Sequence, residues 1–409
     1  MNQLSQYYKR EKLLIMNKWK RCKLGDVAIR VTSGGTPSTK QTEYYGGSIP
    51  WLNTKEIKNC RIRKTEKYIT EQGLGNSSAK WIDENSVIVA MYGATAGKVA
   101  INKIPLTTNQ ACCNITIDYE KSDYNYLFYL LLNSFDKLDQ MTSGAAQQNL
   151  NVGIISKLDI ILPSLPEQRA IASVLSSLDD KIDLLHRQNK TLETMAETLF
   201  KQWFLEEAEE DWKVKNIGNV LQTVLGGTPS TSKPEYWDGN IPWINSGEVN
   251  NFRILQGTKY ITEFGLQKSN TKLLPKGTTV LAITGATLGQ VSLLEINTCA
   301  NQSVVGVIPN ENLPKEYVFL WMKHKIKEII LNETGGAQPH INKNDINETE
   351  IVIPDEKSMK RGIEIINPMF KKITKNSFQI LTLEKLRDTL LPKLMSGEVW
   401  VQYDKETTI

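Results

Sequence analysis

The hexapeptide Gly34-Gly-Thr-Pro-Ser-Thr39 returns later in the chain as Gly226-Gly-Thr-Pro-Ser-Thr231. Between Gly34–Ile57 and Gly226–Val249, at a constant offset of 192 residues, 14 of 24 positions are identical. Average composition gives about one or two by chance. The offset carries on through Lys67-Tyr-Ile-Thr70 and Lys259-Tyr-Ile-Thr262, Gly93-Ala-Thr95 and Gly285-Ala-Thr287, and Asn109-Gln110 and Asn301-Gln302. One residue is then lost, and Ser143-Gly-Ala-Ala-Gln147 pairs with Thr334-Gly-Gly-Ala-Gln338, Asn151 with Asn342, and Pro163 with Pro354. Trp19-Lys20 matches Trp212-Lys213. The chain is therefore two tandem copies of one unit of roughly 190 residues, not a solenoid of short repeats.

A length of 409 residues suits more than one core, because single cores stop growing near ~250–300 residues. The net charge of +4 permits nucleic-acid binding without announcing it. Five cysteines have no Cys-x-x-Cys spacing; Cys112-Cys113 lies in an apolar run and reads as buried free thiols. That pattern points to a reducing cytoplasm rather than a disulfide framework. No apolar run reaches the ~18–20 residues of a membrane span, and Met1–Leu14 is polar and charged, with no apolar stretch of signal-peptide length.

Each copy opens with about 145 residues rich in Gly, Thr, Asn, Tyr and Trp. Strands are expected at Ser86–Tyr92, Ala111–Ile117, Thr278–Thr284 and Ser303–Ile308, and a short helix at Asp123–Asn133 and Lys315–Ile330. A long helical pattern follows. From Pro166, a good first-turn residue, Ile171, Leu175, Leu178, Ile182, Leu185, Asn189, Leu192, Ala196, Leu199 and Trp203 recur in steps of four and three. The second seam reads Ile366, Met369, Ile373, Asn376, Ile380, Leu383, then Leu386 or Arg387, Leu390 and Leu394. Each narrow stripe must pack on something, its own globular unit or the other helix. A length of ~50–60 Å favours the helix, and the likeness of the copies makes the pair antiparallel. One Asn in each seam is expected to fix register.

The paired Gly-Gly-Thr-Pro-Ser openings, Ile49-Pro-Trp51 and Ile241-Pro-Trp243, Leu165-Pro-Glu-Gln168, and Leu390-Leu-Pro-Lys-Leu-Met-Ser-Gly-Glu398 together resemble the DNA-specificity subunit of type I restriction–modification systems. The resemblance runs from about Trp19 to Glu398. It implies an α+β chain with two tandem-repeated α/β target recognition domains, each followed by a long helix, the two helices forming an antiparallel coiled coil. The expected layout is a leader (1–18), recognition domain 1 (19–163), spacer helix 1 (164–208), recognition domain 2 (209–354), spacer helix 2 (355–396) and a tail (397–409). The resemblance further implies double-stranded DNA read as two half-sites, two methyltransferase subunits and motor–nuclease subunits as partners. S-adenosylmethionine, ATP and Mg belong on those partners, with no cofactor or metal in this chain. Pro368 and Arg387 put the continuity of the second helix in question.

Several motifs resemble catalytic ones. Tyr92-Gly-Ala-Thr-Ala-Gly-Lys98 is similar to a phosphate loop but lacks its first Gly and the Ser/Thr after Lys. Asn367-Pro-Met-Phe370 resembles an amino-methyltransferase loop yet sits within the helical seam. His186, His324 and His340 have no zinc-ligand spacing. The chain reads as a non-enzyme.

Two copies reading different half-sites should match where the fold needs it and differ where bases are touched. Gly34, Gly35, Gly226 and Gly227 then read as backbone turns, and Trp51 and Trp243 as core. The candidate DNA contacts are Lys55, Lys58, Arg61, Arg63 and Lys64 in the first copy and Asn250, Asn251, Arg253 and Gln256 in the second. Arg and Lys suit guanine edges and phosphates, Asn and Gln suit adenine; a solvated charged loop is the alternative. A second loop offers Gln147 and Asn149 against Gln338 and His340. There the matching of Gln147 with Gln338 and Asn151 with Asn342 favours a shared structural or phosphate role. The competing function is a protein-binding scaffold with no sequence-specific DNA role.

Overall fold

The computed structural model describes residues 19–134, 150–332 and 340–403. Its strands, in chain order, are β1 (Lys20–Lys23), β2 (Ala28–Ser33), β3 (Tyr45–Leu52), β4 (Cys60–Ile62), β5 (Lys67–Ile69), β6 (Trp81–Ile82), β7 (Val87–Ala90), β8 (Val99–Asn102), β9 (Leu106–Thr108), β10 (Cys112–Ile117) and β11 (Asp159–Leu162) in the first copy. The second copy holds β12 (Lys213–Asn216), β13 (Gln222–Leu225), β14 (Trp237–Ile244), β15 (Arg253–Ile254), β16 (Lys259–Ile261), β17 (Leu273–Leu274), β18 (Thr279–Ala282), β19 (Val291–Leu294), β20 (Thr298–Ala300), β21 (Val304–Ile308) and β22 (Glu350–Ile353). The helices used below are α1 (Tyr124–Asn133), α2 (Leu165–Lys201), α3 (Lys315–Asn332) and α4 (Glu356–Met395). The chain divides into two compact units, Met1–Lys181 with Leu383–Ile409, and Ile182–Thr382, so each long helix contributes to both.

In the first unit a five-stranded sheet runs β2-β10-β7-β8-β4 and a four-stranded sheet β5-β3-β9-β6. Strand side chains alternate faces, so β7 serves two cores. Ile88 and Ala90 join Leu52, Ile57, Ile62, Leu106 and Cys112 from both sheets. Val87 and Val89 join Ile115, Tyr126 and Phe128 of α1, and Ile171 and Leu175 of α2. That double duty is why the expected strands are apolar on both faces. Strand β1 pairs antiparallel with β11, Lys20 opposite Leu162, which ties β1 to the strand that leads into α2.

The second unit repeats the plan, with sheets β13-β21-β18-β19-β15 and β16-β14-β20-β17 and the closing pair β12-β22. The glycines act differently from the expected turns. A Cβ on Gly34 would stand 2.1 Å from the Thr108 carbonyl oxygen, and one on Gly226 2.1 Å from that of Asn301. Close approach of two backbones, not a left-handed φ, demands glycine there. Trp51 and Trp243 are core as expected, each donating its indole N–H to the Gly35 or Gly227 carbonyl at 3.0 and 3.1 Å.

The Leu-Pro-Glu-Gln motif has a local job. Gln168 is buried at the start of α2; its Oε1 accepts from Ser122 Oγ and the Asp123 amide, and its Nε2 donates to the Lys121 and Pro163 carbonyls. The helix start is thereby locked to the turn that enters α1.

Within each unit the long helices pack antiparallel. In the first, Ile171, Ala172 and Leu175 share a core with Leu391, Leu394 and Met395. In the second, Ala196, Phe200 and Phe204 meet Met359, Ile366 and Phe370. A Cβ on Gly362 would lie 2.3 Å from Phe204 Cζ, so that glycine admits the ring. Helix α4 runs unbroken through Pro368, which faces solvent, and Arg387 rather than the 45%-exposed Leu386 occupies the seam. It ends at Gly397, whose φ of 65° stops the helix with the Glu398 amide bonded back to the Lys393 carbonyl.

Candidate nucleic-acid interface

After β3 the chain forms a short turn, Thr54–Glu56, that opens on Asn53. The Asn53 side chain accepts from the Lys55 amide, and the Glu56 carboxylate reaches back to the Asn53 amide at 3.0 Å. Its other oxygen accepts from the Glu66 amide at 2.9 Å. One carboxylate thus clips together the two ends of the segment carrying Lys58, Arg63 and Lys64. In the second copy Glu248 does the same, accepting from the Asn245 amide at 2.8 Å and the Thr258 amide at 3.1 Å. Between the clips the copies diverge in charge: Lys58, Arg63 and Lys64 stand where Asn250, Leu255 and Gln256 stand in copy two.

Lys55, Lys58, Arg63 and Lys64 are exposed, as are Asn250, Asn251 and Gln256. The loop between β7 and β8 abuts the clip: Thr95 Oγ1 donates to the Thr54 carbonyl at 2.7 Å, and the Val99 amide to Asn59 Oδ1 at 3.0 Å. That loop connects strand to strand, so Tyr92–Lys98 lacks the helix N-terminus that a phosphate loop requires. Asn367–Phe370 lies inside α4, not in a loop.

Arg61 and Arg253 require correction. Both are expected among the DNA contacts, yet their side chains are 5% and 2% exposed. Arg61 pairs with Asp180 of α2 at 3.2 Å and approaches the Tyr129 hydroxyl at 3.4 Å. Arg253 lies 3.5 Å from Glu295 and against the rings of Phe252, Phe319 and Phe370, at 4.0, 4.9 and 4.7 Å. Burial pushes its guanidinium down to about 10, opposed by Glu295, and it stays a cation at neutral pH. The two arginines sit at equivalent positions, 192 residues apart, a match within the repeat that marks them as framework.

The second candidate loop is only partly within the described residues. Gln147, Asn149 and Gln338 lie outside them, and His340 is exposed. Asn151 and Asn342, the matched pair beside it, cap short helices: Asn151 Oδ1 accepts from the Ile154 amide, Asn342 Oδ1 from those of Asn344 and Asp345. Their shared role is structural. Cys112 and Cys113 are buried free thiols, the latter pushed up to about 12 by burial. Among the described residues no cluster of His, Cys, Asp and Glu is arranged to hold a metal, and no helix is long and apolar enough to cross a membrane.

The reading from sequence missed the Glu56 and Glu248 clips. The signal was present: Asn53-Thr-Lys-Glu56 and Asn245-Ser-Gly-Glu248 keep the Asn and Glu of a capping box while the residues between them change.

The family model of the type I restriction modification DNA specificity domain matches residues 16–194 and 209–384. The chain is 30% identical to the type I restriction enzyme MjaIX specificity subunit of Methanocaldococcus jannaschii, covering 95% of both chains. It is 23% identical to the HindI specificity subunit of Haemophilus influenzae, over 94% of this chain and 100% of that one. The crystal structure of a type I restriction–modification S subunit from M. genitalium has the same fold at a TM-score of 0.59 and 17% identity, covering 92% of this chain and 96% of that one. With the family's domain matched twice across a chain that folds as two copies of one unit, the protein belongs to the type I restriction–modification specificity subunits.

Proposed function

We propose that the chain is the non-catalytic, cytoplasmic subunit that gives a type I restriction–modification complex its DNA sequence specificity, one half-site per recognition domain, and that its long helices dock methyltransferase subunits. The carrying observation is the clip. Glu56 and Glu248 hold the same frame in both copies, while the exposed side chains between their bonded amides change from basic to Asn- and Gln-bearing. A fixed frame with a changed tip is what two readers of different sequences need. Lys55, Lys58, Arg63 and Lys64 are assigned to half-site one, and Asn250 and Gln256 to half-site two; Asn251 repeats Asn59 and, like the two arginines, belongs to the shared frame. Residues 19–163 and 209–354 act as separable readers. Two methyltransferase subunits, one per domain, supply S-adenosylmethionine chemistry, and motor–nuclease subunits supply ATP- and Mg-dependent cleavage.

The test is duplex retardation by the chain assembled with its methyltransferase. Neutralising Lys55, Lys58, Arg63 and Lys64 together is expected to weaken binding and flatten the slope of log K against log salt by ~0.9 for each phosphate that no longer meets a cation. Exchange of residues 19–163 for a homologous domain changes one half-site of the methylated sequence and leaves the other. A wild-type complex that binds cognate and scrambled duplexes equally would mean a protein scaffold instead.

A further inference from the structure

Several positions that match between the copies have a structural reason. Gly34 and Gly226 permit close approach, Glu56 and Glu248 clip, and Ile69 and Ile261 are fully buried. Thr70 and Thr262 cap helices, accepting from the Gly73 and Gly265 amides. Other matched positions are exposed in both copies, among them Glu71 with Glu263 and Lys80 with Lys272, and of these exposed matches two adjacent ones join a cation to a phenol. Lys67 and Tyr68 on β5, and Lys259 and Tyr260 on β16, are identical in the two copies, yet exposed; the tyrosines are 37% and 39% accessible. Among the described residues the side chains of Lys67, Tyr68 and Tyr260 make no hydrogen bond or ion pair, and Lys259 only overlies the Trp237 ring at 5.6 Å.

Both pairs lie on edge strands, in the same register: Lys67 opposite Trp51 and Tyr68 opposite Pro50, Lys259 opposite Trp243 and Tyr260 opposite Pro242. Each begins one residue after an amide that the clip holds, that of Glu66 or Thr258. They are thus placed at a fixed position at the end of the very segment that changes between copies. Neither the fold nor the reading of different bases explains why an exposed cation and an exposed phenol are kept in both. What two different half-sites share is the sugar–phosphate backbone, an anion of regular spacing that Lys and the Tyr hydroxyl both bond.

We infer that Lys67–Tyr68 and Lys259–Tyr260 are the sequence-independent backbone contacts of the two domains, each setting the register in which its variable segment meets the bases. This rests on the DNA-reading function proposed above. The partner is the phosphodiester chain of duplex DNA, recognised by charge and by a neutral donor.

The experiment uses the assembled complex with cognate and scrambled duplexes over a range of salt. Lys67→Gln with Lys259→Gln is expected to lower affinity for both duplexes by the same factor and to reduce the salt slope by about two, one counterion per lysine. Tyr68→Phe with Tyr260→Phe is expected to lower affinity for both duplexes equally without moving the slope, since a neutral donor releases no counterion. The control is Lys80→Gln with Lys272→Gln, a matched and exposed pair beside the opposite edge strand of the same sheet. An unchanged slope in the first variant overturns the inference, as does a loss confined to the cognate duplex. An equal slope change in the control also overturns it, since only a diffuse field would then be at work. So does failure of the Lys or Tyr variant to assemble with the methyltransferase in the absence of DNA, which would make the strand a protein-docking edge. In each case a wild-type complex that still discriminates cognate from scrambled DNA leaves the proposed function standing.

Discussion

The same arginine is held in two different ways. In the first domain Arg61 reaches a carboxylate, Asp180, that is itself 63% exposed, and its other near neighbour is a hydroxyl. In the second, Arg253 is sealed among three aromatic rings beside Glu295, which is 3% exposed. Lys276 and Thr374 also touch that carboxylate. The partners differ, while the arginine at the far side of the clipped segment persists. In each case the contact reaches a long helix, through Asp180 on α2 or Phe370 and Thr374 on α4. What the fold keeps is therefore an anchor from the reading segment to the helix, and the chemistry filling it is interchangeable.

The largest expected effect separates these two anchors. Arg253→Ala leaves a buried carboxylate short of its partner, and breaking such a pair costs about 3–5 kcal/mol. Arg61→Ala should cost less, about 1 kcal/mol, because water can solvate Asp180. Amide exchange at β15 in the first variant and at β4 in the second measures both. Equal losses would break the comparison and assign the anchoring to packing alone.

The clips should behave alike where the anchors do not. Glu56→Ala removes the acceptor of two backbone amides, and Glu248→Ala does the same. A charge-assisted bond of this kind is worth about 1.5–3 kcal/mol, so its removal implies a ten- to hundredfold rise in exchange at the Glu66 or Thr258 amide. The change should stay within its own copy. A variant in which the Glu56 change speeds exchange at Thr258 would show that the frames are not independent.

The repeat, the two seams and the strand–helix order were legible because each is a periodicity, and periodicity survives without knowledge of tertiary neighbours. Ile171, Leu175, Ile182, Leu185 and Ala196 are all buried where the four-three stepping places them. The site was less legible. Arg61 and Arg253 look like members of a basic patch because charge in a sequence carries no sign of depth; only Asp180 and Glu295, distant in the chain, take them inside. Phe200 and Phe204 are buried off the seam because they meet α3 at Tyr317, a contact no helical period encodes. The clip glutamates were readable through the capping box, whose Asn and Glu are retained in both copies while the residues between them change.

The smallest effect concerns the polar residues in the two helix crossings, which again differ between units. In the first unit Asp179 takes Arg387 at 2.9 Å and the Tyr129 hydroxyl at 2.5 Å. In the second, Asn376 is fully buried and donates to Gln188 and Asn189, both at 2.8 Å, while Asn189 Nδ2 donates to Ser377. Asn376 Oδ1 has no hydrogen-bond partner. An amide half-satisfied in an apolar seam lowers stability and is useful only if it selects one register over its neighbours. Asn376→Leu alone should cost about 1 kcal/mol, because Asn189 then keeps a poorly partnered carbonyl. Adding Asn189→Leu should recover that loss or exceed it, as a Leu–Leu layer replaces a polar one. The urea midpoint of the two variants checks the sign. If the helices measure the distance between half-sites, the double variant sharpens the point. A slip of one heptad moves a helix by ~10 Å, about three base pairs at ~3.4 Å each. Methylated sites should then show more than one gap length, with both half-site sequences intact. A single unchanged gap in a double variant of wild-type stability would place control of register with the Arg61 and Arg253 anchors, not with the asparagines.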